Sequence, residues 1–287
     1  MSETENKKST SKEELEKMRH SASHVLAQAV LKKFPKAKLG IGPAIENGFY
    51  YDFDLSEPLT EGDIKEIEKE MNKIIKKDLP ISQVMRDRAE LIAEYEIQDQ
   101  GYKIDLLKDI PDEKLSTYVT GNNEFIDLCR GPHVKSTGEI GVIAIDRVAG
   151  AYWRGDENKP MLQRIYGLAF PTKEELDAYL QHREELLKID HRKLGKEMDL
   201  FSFHEESPGN AFWHPKGLKI FNTLIDYWRI VHEKEGYVEV RTPVFLTREV
   251  WERSGHLQNY AEKMYLARTF DSDELNYAAK PMNCNGG

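Results

Sequence analysis

One stretch near the start of this chain carries both ends of a helix in its own sequence. Ser11 followed by Glu14 is a capping-box pattern, Leu15, Met18, Ala22, Val25, Leu26 and Ala29 recur at helical spacing, and Pro35 stops the run. An apolar stripe of that length has to be buried, so the rest of the fold must supply a partner surface for it. His20 and His24 ride on a flank of the stripe, one turn apart, so both imidazoles point towards one spot.

Beyond Pro35 the chain alternates between strand and helix periodicities. Residues 41–55 read as a hairpin, because Asn47-Gly48 is a strong two-residue turn signal followed by aromatic residues. A second helix is predicted over residues 62–77, capped by Thr60, with Ile64, Ile67, Met71, Ile74 and Ile75 as its buried stripe. Strand signals recur at 81–85, 124–128, 142–147 and 161–170, with helical segments between some of them, which makes the layout α+β. A charged helix over about 172–193, ending near Gly195, reads as a connector, after which come an aromatic-rich stretch at 201–213, a helix at 217–235 and a strand at 237–241. The domains expected are a disordered polar tail at 1–12, a first domain at 13–171, the connector at 172–195 and a second domain at 196–287.

No apolar run approaches the ~20 residues that cross a bilayer, and the polar N-terminus has no signal-peptide core, so a cytoplasmic protein without membrane contact is expected. The net charge of −9 argues against a general polyanion binder, while Arg183, Lys188, Arg192, Lys193 and Lys196 leave room for a local basic surface. The two cysteines lie far apart, and each stands in a run that suggests chemistry, so both are expected as thiols or thiolates. The first stands in Cys129-Arg-Gly-Pro-His133, where Gly131-Pro132 forces a bend at a strand end. If His20, His24, Cys129 and His133 converge, spacing alone favours a tetrahedral zinc site. The other histidines, His182, His191, His204, His214, His232 and His256, have no partner at ligand spacing and read as structural or surface residues.

The runs HSASH, IGPAIENGFYYDFD, IDLCRGPHV, AGAYWRGD, MLQRIYG, DHRKLGKEMDLF, FWHPKG and KPMNC together resemble the threonyl-tRNA synthetases, in that family's order and over nearly the whole chain from about Lys17 to Cys284. The resemblance implies an editing domain of the kind shared with alanyl-tRNA synthetases, then the start of a class II aminoacylation domain. It implies tRNA(Thr), threonine and ATP with magnesium as partners, and a homodimer for the full-length enzyme. Zinc is implied in the synthetic site, with Cys284 as a ligand. Carried onto this sequence, His20, His24, Lys103, Asp127, Cys129 and His133 are the implied catalytic residues and Tyr51 a substrate-binding residue. For the editing site the resemblance points to hydrolysis without a required ion, contrary to spacing alone.

The sequence departs from the family after Cys284, where Asn285-Gly286-Gly287 replaces the usual Pro-Gly-His. Residues 237–243 resemble the first class II motif, and the second and third motifs would lie beyond residue 287, so these residues alone are expected to edit and not to aminoacylate. The chemical need is clear. A site that grips the threonine hydroxyl rejects valine, but serine lacks only a methyl, worth about 1–3 kcal/mol, so a second hydrolytic site must clear the error. Two other readings stay open: a freestanding zinc-dependent editing hydrolase of the alanyl-related type, and a non-catalytic tRNA-binding module.

Overall fold

The computed structural model describes residues 11–283, which divide into two compact units at Leu187/Lys188. In the first unit, helix α1 (Lys12–Lys33) begins at the expected capping box, Ser11 accepting from the Glu14 amide and Glu14 accepting from that of Ser11. The polar tail expected at 1–12 therefore ends earlier: Ser11 is the cap and Lys12 the first helical residue, and the remainder lies outside the described residues. Ser21 to Val30 are buried on every side of the helix rather than along one stripe, because α1 is enclosed by the elements around it.

Those elements are a five-stranded antiparallel sheet and a second helix. The strands are β1 (Lys38–Leu39), β2 (Ala44–Ile45), β3 (Gly48–Asp54), β7 (Val142–Tyr152) and β8 (Met161–Phe170), in the order β1-β3-β8-β7 with β2 beside β3. The Asn47-Gly48 turn joins β2 to β3, and Gly48 packs against the Gly167 carbonyl so closely that a Cβ there would lie 1.9 Å from it. Helix α2 (Glu61–Lys76) starts at Thr60 as predicted and contributes Ile67, Met71 and Ile74 to the core. With Val25, Leu26, Phe49, Phe53 and Ile165 they form the main apolar cluster.

A second antiparallel sheet carries β4 (Ile81–Asp87), β5 (Lys114–Thr120) and β6 (Phe125–Leu128) in that order. Between β4 and β5 run α3 (Arg88–Ile97) and α4 (Gly101–Lys108), whose Leu91, Tyr95 and Leu107 pack with Leu115 as a smaller cluster. Gln100, at the start of α4, is the clamp to the first sheet: its carbonyl accepts from Leu39 N at 2.7 Å and its amide donates to Ala37 O at 3.0 Å. Tyr102 adds a bond to Asp54 at 2.9 Å, and the Trp153 indole donates to Asp105 at 2.9 Å.

The connector predicted as one helix is two. Helix α5 (Lys173–Lys188) stops, and Asp190 caps a separate α6 (His191–Glu197) by accepting from Arg192 N at 2.8 Å. An aspartate able to take up free amides offers the chain a new helix start, and that local bond wins over continuing the old one. The second unit continues with β9 (Phe201–Ser202), β10 (Phe212–Trp213), α7 (Pro215–Lys234), β11 (Phe245–Thr247), α8 (Arg248–Arg253), α9 (His256–Tyr260), β12 (Leu266–Ala267) and β13 (Tyr277–Ala279). β9 pairs with β10, and β13 lies between β11 and β12. The strand predicted at 237–241 does not form: those residues pair with no strand, and Val238 is 86% exposed. Alternating β-branched residues favour an extended chain, yet a strand needs a neighbour, and none among the described residues pairs with it.

Candidate functional site

Four elements of the first unit deliver the site. α1 brings His20 and His24, β3 brings Tyr51, α4 brings Lys103, and β6 with the loop after it brings Asp127, Cys129 and His133. One ligand atom from each of His20, His24, Cys129 and His133 falls within 4.8 Å of the other three. The thiol lies 3.3 Å from His20 Nε2 and 3.2 Å from His133 Nε2, and it accepts from the Gly131 amide at 3.2 Å. His133 stacks obliquely on His20 and His24, each with ring centroids 4.2 Å apart.

The bend that sequence placed here is a cis Gly131-Pro132 bond, with Gly131 at φ +73°. Glycine is required for a second reason: a Cβ would lie 2.2 Å from the Tyr118 hydroxyl. Tyr118 in turn faces His133 at 4.3 Å between ring centroids. Sequence reasoning missed Tyr118 because β5 went unread, although its alternation of buried Leu115, Thr117 and Val119 was the available signal.

Beside the cluster lies a buried polar network. The Tyr51 hydroxyl donates to Asp127 Oδ2 at 2.5 Å and accepts from Lys103 Nζ at 2.9 Å, while Lys103 and Asp127 also form an ion pair. Lys103 and Asp127 are each 2% exposed and Tyr51 is fully buried, so all three have traded water for one another. Gly42 backs the tyrosine so tightly that a Cβ there would sit 2.0 Å from the ring. His24 bridges network and cluster: its Nε2 lies 3.8 Å from Asp127 Oδ2, and its Nδ1 is buried with no hydrogen-bond partner among the described residues.

Burial governs the titration of these groups. It lowers the basicity of His20, of His24, whose neighbours His20 and Lys103 push the same way, and of His133, so the imidazoles stay neutral. The Cys129 thiol is pushed up to about 11 by burial and remains protonated near neutrality, and burial also raises Tyr51, with Asp127 adding to the effect. A neutral trio of imidazoles and a thiol can manage the proton of a water molecule or hold a soft divalent cation. Zinc bonds of about 2.0–2.3 Å set tetrahedral ligand atoms roughly 3.3–3.8 Å apart, close to the two sulfur–nitrogen separations here. The residues thus fit an ion, and the unpartnered His24 Nδ1 is the kind of atom an ion would satisfy.

The cluster has open space on two sides. A cavity of about 480 Å³ touches Cys129 and is walled by Met85, Leu106, Ile110, Leu115 and Leu128, with Arg130 among its lining residues. A cleft of about 900 Å³ touches His133 and is lined by Lys17 and Lys135 along with Met18 and Val134.

Residues 115–166, which supply β5, β6 and the Cys129–His133 loop, match the family described as "Threonyl and Alanyl tRNA synthetase second additional domain". The chain is 52% identical over 270 residues to the threonine–tRNA ligase of Desulfosudis oleivorans, covering 94% of this chain and 41% of the relative. It is 53% identical over 268 residues to that of Caldanaerobacter subterraneus subsp. tengcongensis and 51% over 270 to that of Acetivibrio thermocellus, with 93% and 94% of this chain and 41% and 42% of those proteins covered. This chain is related to the threonine–tRNA ligases. It spans about two fifths of the length of these curated relatives.

Other sequence expectations fall elsewhere. Cys284, the implied zinc ligand of the synthetic site, lies outside the described residues. Three members of the basic run that left room for a local basic surface are paired with acids: Arg183 with Asp146 at 2.6 Å, Arg192 with Asp190 at 2.7 Å, and Lys193 with Glu197 at 3.9 Å. His214 stands between Asp199 at 2.7 Å and Ser202 at 3.0 Å, and buried His256 lies 2.8 Å from the Ser254 hydroxyl. No described helix is long and apolar enough to cross a membrane.

Proposed function

We propose that these residues are the proofreading part, and the start of the synthetic domain, of a threonine–tRNA ligase, and that the site described above hydrolyses seryl-tRNA(Thr). The observation that carries this reading is the convergence of the neutral His20, His24, Cys129 and His133 cluster with the buried Tyr51–Asp127–Lys103 network. In the reaction, water adds to the ester carbonyl, its proton passes to a base, and the carbon–oxygen bond to the ribose breaks, the ribose oxygen taking a proton. His20, a neutral imidazole at the edge of the cluster, holds and deprotonates the water. Lys103 donates one N–H to Tyr51 and is ion-paired with Asp127, and as a three-donor ammonium it has a further N–H with which to stabilise the oxyanion. Asp127, His133 and Tyr51 orient the seryl group, and the apolar cavity beside Cys129 is of a size to take the terminal nucleoside. In the complete enzyme the partners are tRNA(Thr), threonine, and ATP with magnesium, in the cytoplasm, and zinc joins the synthetic site at Cys284.

The test is hydrolysis of pre-charged seryl-tRNA(Thr) by the wild-type chain and by His20→Ala. General acid–base loss is expected to slow the reaction by about 10²-fold or more. An unchanged rate in His20→Ala would sink the assignment.

A second reading has one observation in its favour, the buried and unpartnered Nδ1 of His24 within a four-ligand cluster. Here His20, His24, Cys129 and His133 hold zinc, which when bound supplies Lewis acidity at the ester. Elemental analysis of the purified chain, with hydrolysis measured before and after chelation, separates the two: stoichiometric zinc and chelator-sensitive turnover favour the metal, and full activity without it favours the first reading.

A further inference from the structure

Ser21 draws no attention in the sequence because it lies between two histidines, yet its fully buried hydroxyl has three polar neighbours. Its Oγ is 2.8 Å from the Lys17 carbonyl, 3.0 Å from the Val134 amide and 3.0 Å from His133 Nδ1. A hydroxyl owns one hydrogen. The Lys17 carbonyl can only accept, so that hydrogen must point there, since two bare oxygens 2.8 Å apart would repel. The Val134 amide can only donate. His133 Nδ1 must then donate as well, because the hydroxyl has no second hydrogen to offer it.

We infer that Ser21 is a positioning residue that fixes His133 as the Nδ1–H tautomer and so aims the bare Nε2 lone pair at Cys129 and the centre of the cluster. The inference rests on the hydrolytic reading of the site for its consequence, but the tautomer itself follows from the hydrogen count. His133 thus turns an acceptor, its Nε2, towards the cluster, where it can take a hydrogen from a water molecule or hold a cation.

With Ser21 gone, the outer partner that selects between the two nitrogens is lost, and a fraction of His133 can place its hydrogen on Nε2, facing the cluster with a donor where an acceptor is needed. Loss of an outer partner of this kind typically costs about 10–100-fold in activity. Because Ser21 acts on the cluster only through His133, the loss is expected to follow the His133 tautomer.

The experiment is long-range ¹H–¹⁵N correlation NMR of the histidine side chains in the whole chain, with His133 identified by its absence from a His133→Asn sample. Hydrolysis of seryl-tRNA is measured in parallel. The wild type is expected to show His133 protonated at Nδ1, and Ser21→Ala a shift towards Nε2–H, with kcat falling about 10–100-fold. A wild-type His133 carrying its hydrogen on Nε2 overturns the inference without any variant having to fold, and so does a Ser21→Ala chain whose tautomer and kcat match the wild type. A wild type with the expected tautomer that leaves seryl-tRNA intact supports the inference while overturning the proposed substrate.

Discussion

Lys103 is the residue at which local pattern says least and structure most. A lysine in a short helix ordinarily points to solvent, and its sequence neighbours give no hint of the tyrosine 52 positions earlier to which it donates. Its partner Asp127 reads locally as an ordinary strand residue, and only the resemblance singled out either. His20 and His24 were legible because helical period is a local property, and Cys129 and His133 because a glycine and a proline between them announce a bend. Ser21 and Tyr118 were not, since their roles depend on groups brought from distant positions. Removing one member of a buried ion pair strands the other in a low-dielectric interior, which costs about 3–5 kcal/mol. Lys103→Ala is expected to lose stability on that scale by urea unfolding, whereas a cost near zero would mean that water reaches Asp127.

At the scale of elements, the helices were read best where the chain writes its own caps. The Thr60 hydroxyl accepts from the Asp63 amide at 3.2 Å, and Asp63 accepts from the Thr60 amide at 2.9 Å, a reciprocal pair at the start of α2. Hydrogen bonds from the Thr60 hydroxyl and amide, with the Lys33 ammonium beside them, hold the Asp63 carboxyl down from 3.8 to about 2. A carboxyl that is more acidic when folded stabilises the fold above its unfolded value and loses that contribution as pH falls through the folded one. Capping of α2 is therefore expected to be intact above the ordinary carboxyl range and to disappear between 3.8 and about 2. Acid unfolding followed by circular dichroism should show Asp63→Asn flatter than wild type in that window, and superimposable curves would refute this. Strand 237–241 failed for the complementary reason, since pairing depends on what lies alongside, which alternation does not encode, whereas the connector was misread because the cap that Asp190 writes inside it was overlooked.

At the scale of the whole molecule, the two units differ in how completely they bury their apolar surface. Both apolar clusters of the first lie within residues 18–169. In the second, α7 leaves Leu224 63%, Tyr227 67% and Trp228 49% exposed. A polypeptide ending at Lys188 is expected to fold cooperatively and hydrolyse seryl-tRNA at the rate of the whole chain, and residues 188–287 alone to bind a hydrophobic dye strongly. Calorimetry with dye titration checks both, and a fragment 1–188 that melts without cooperativity would contradict the first.

The clamp made by Gln100 has a consequence for how the site fails on heating. His20 and His24 stand on a helix packed with the first sheet, whereas Asp127 and the Cys129–His133 loop belong to the second, and Lys103 reaches Tyr51 from a helix that Gln100 ties across the two. Neither sheet owns the chemistry, so it works as a coincidence detector for their docking. A molecule warmed until that docking loosens would keep most of its helices and strands and still lose the proposed hydrolysis, failing first in chemistry and only later in shape.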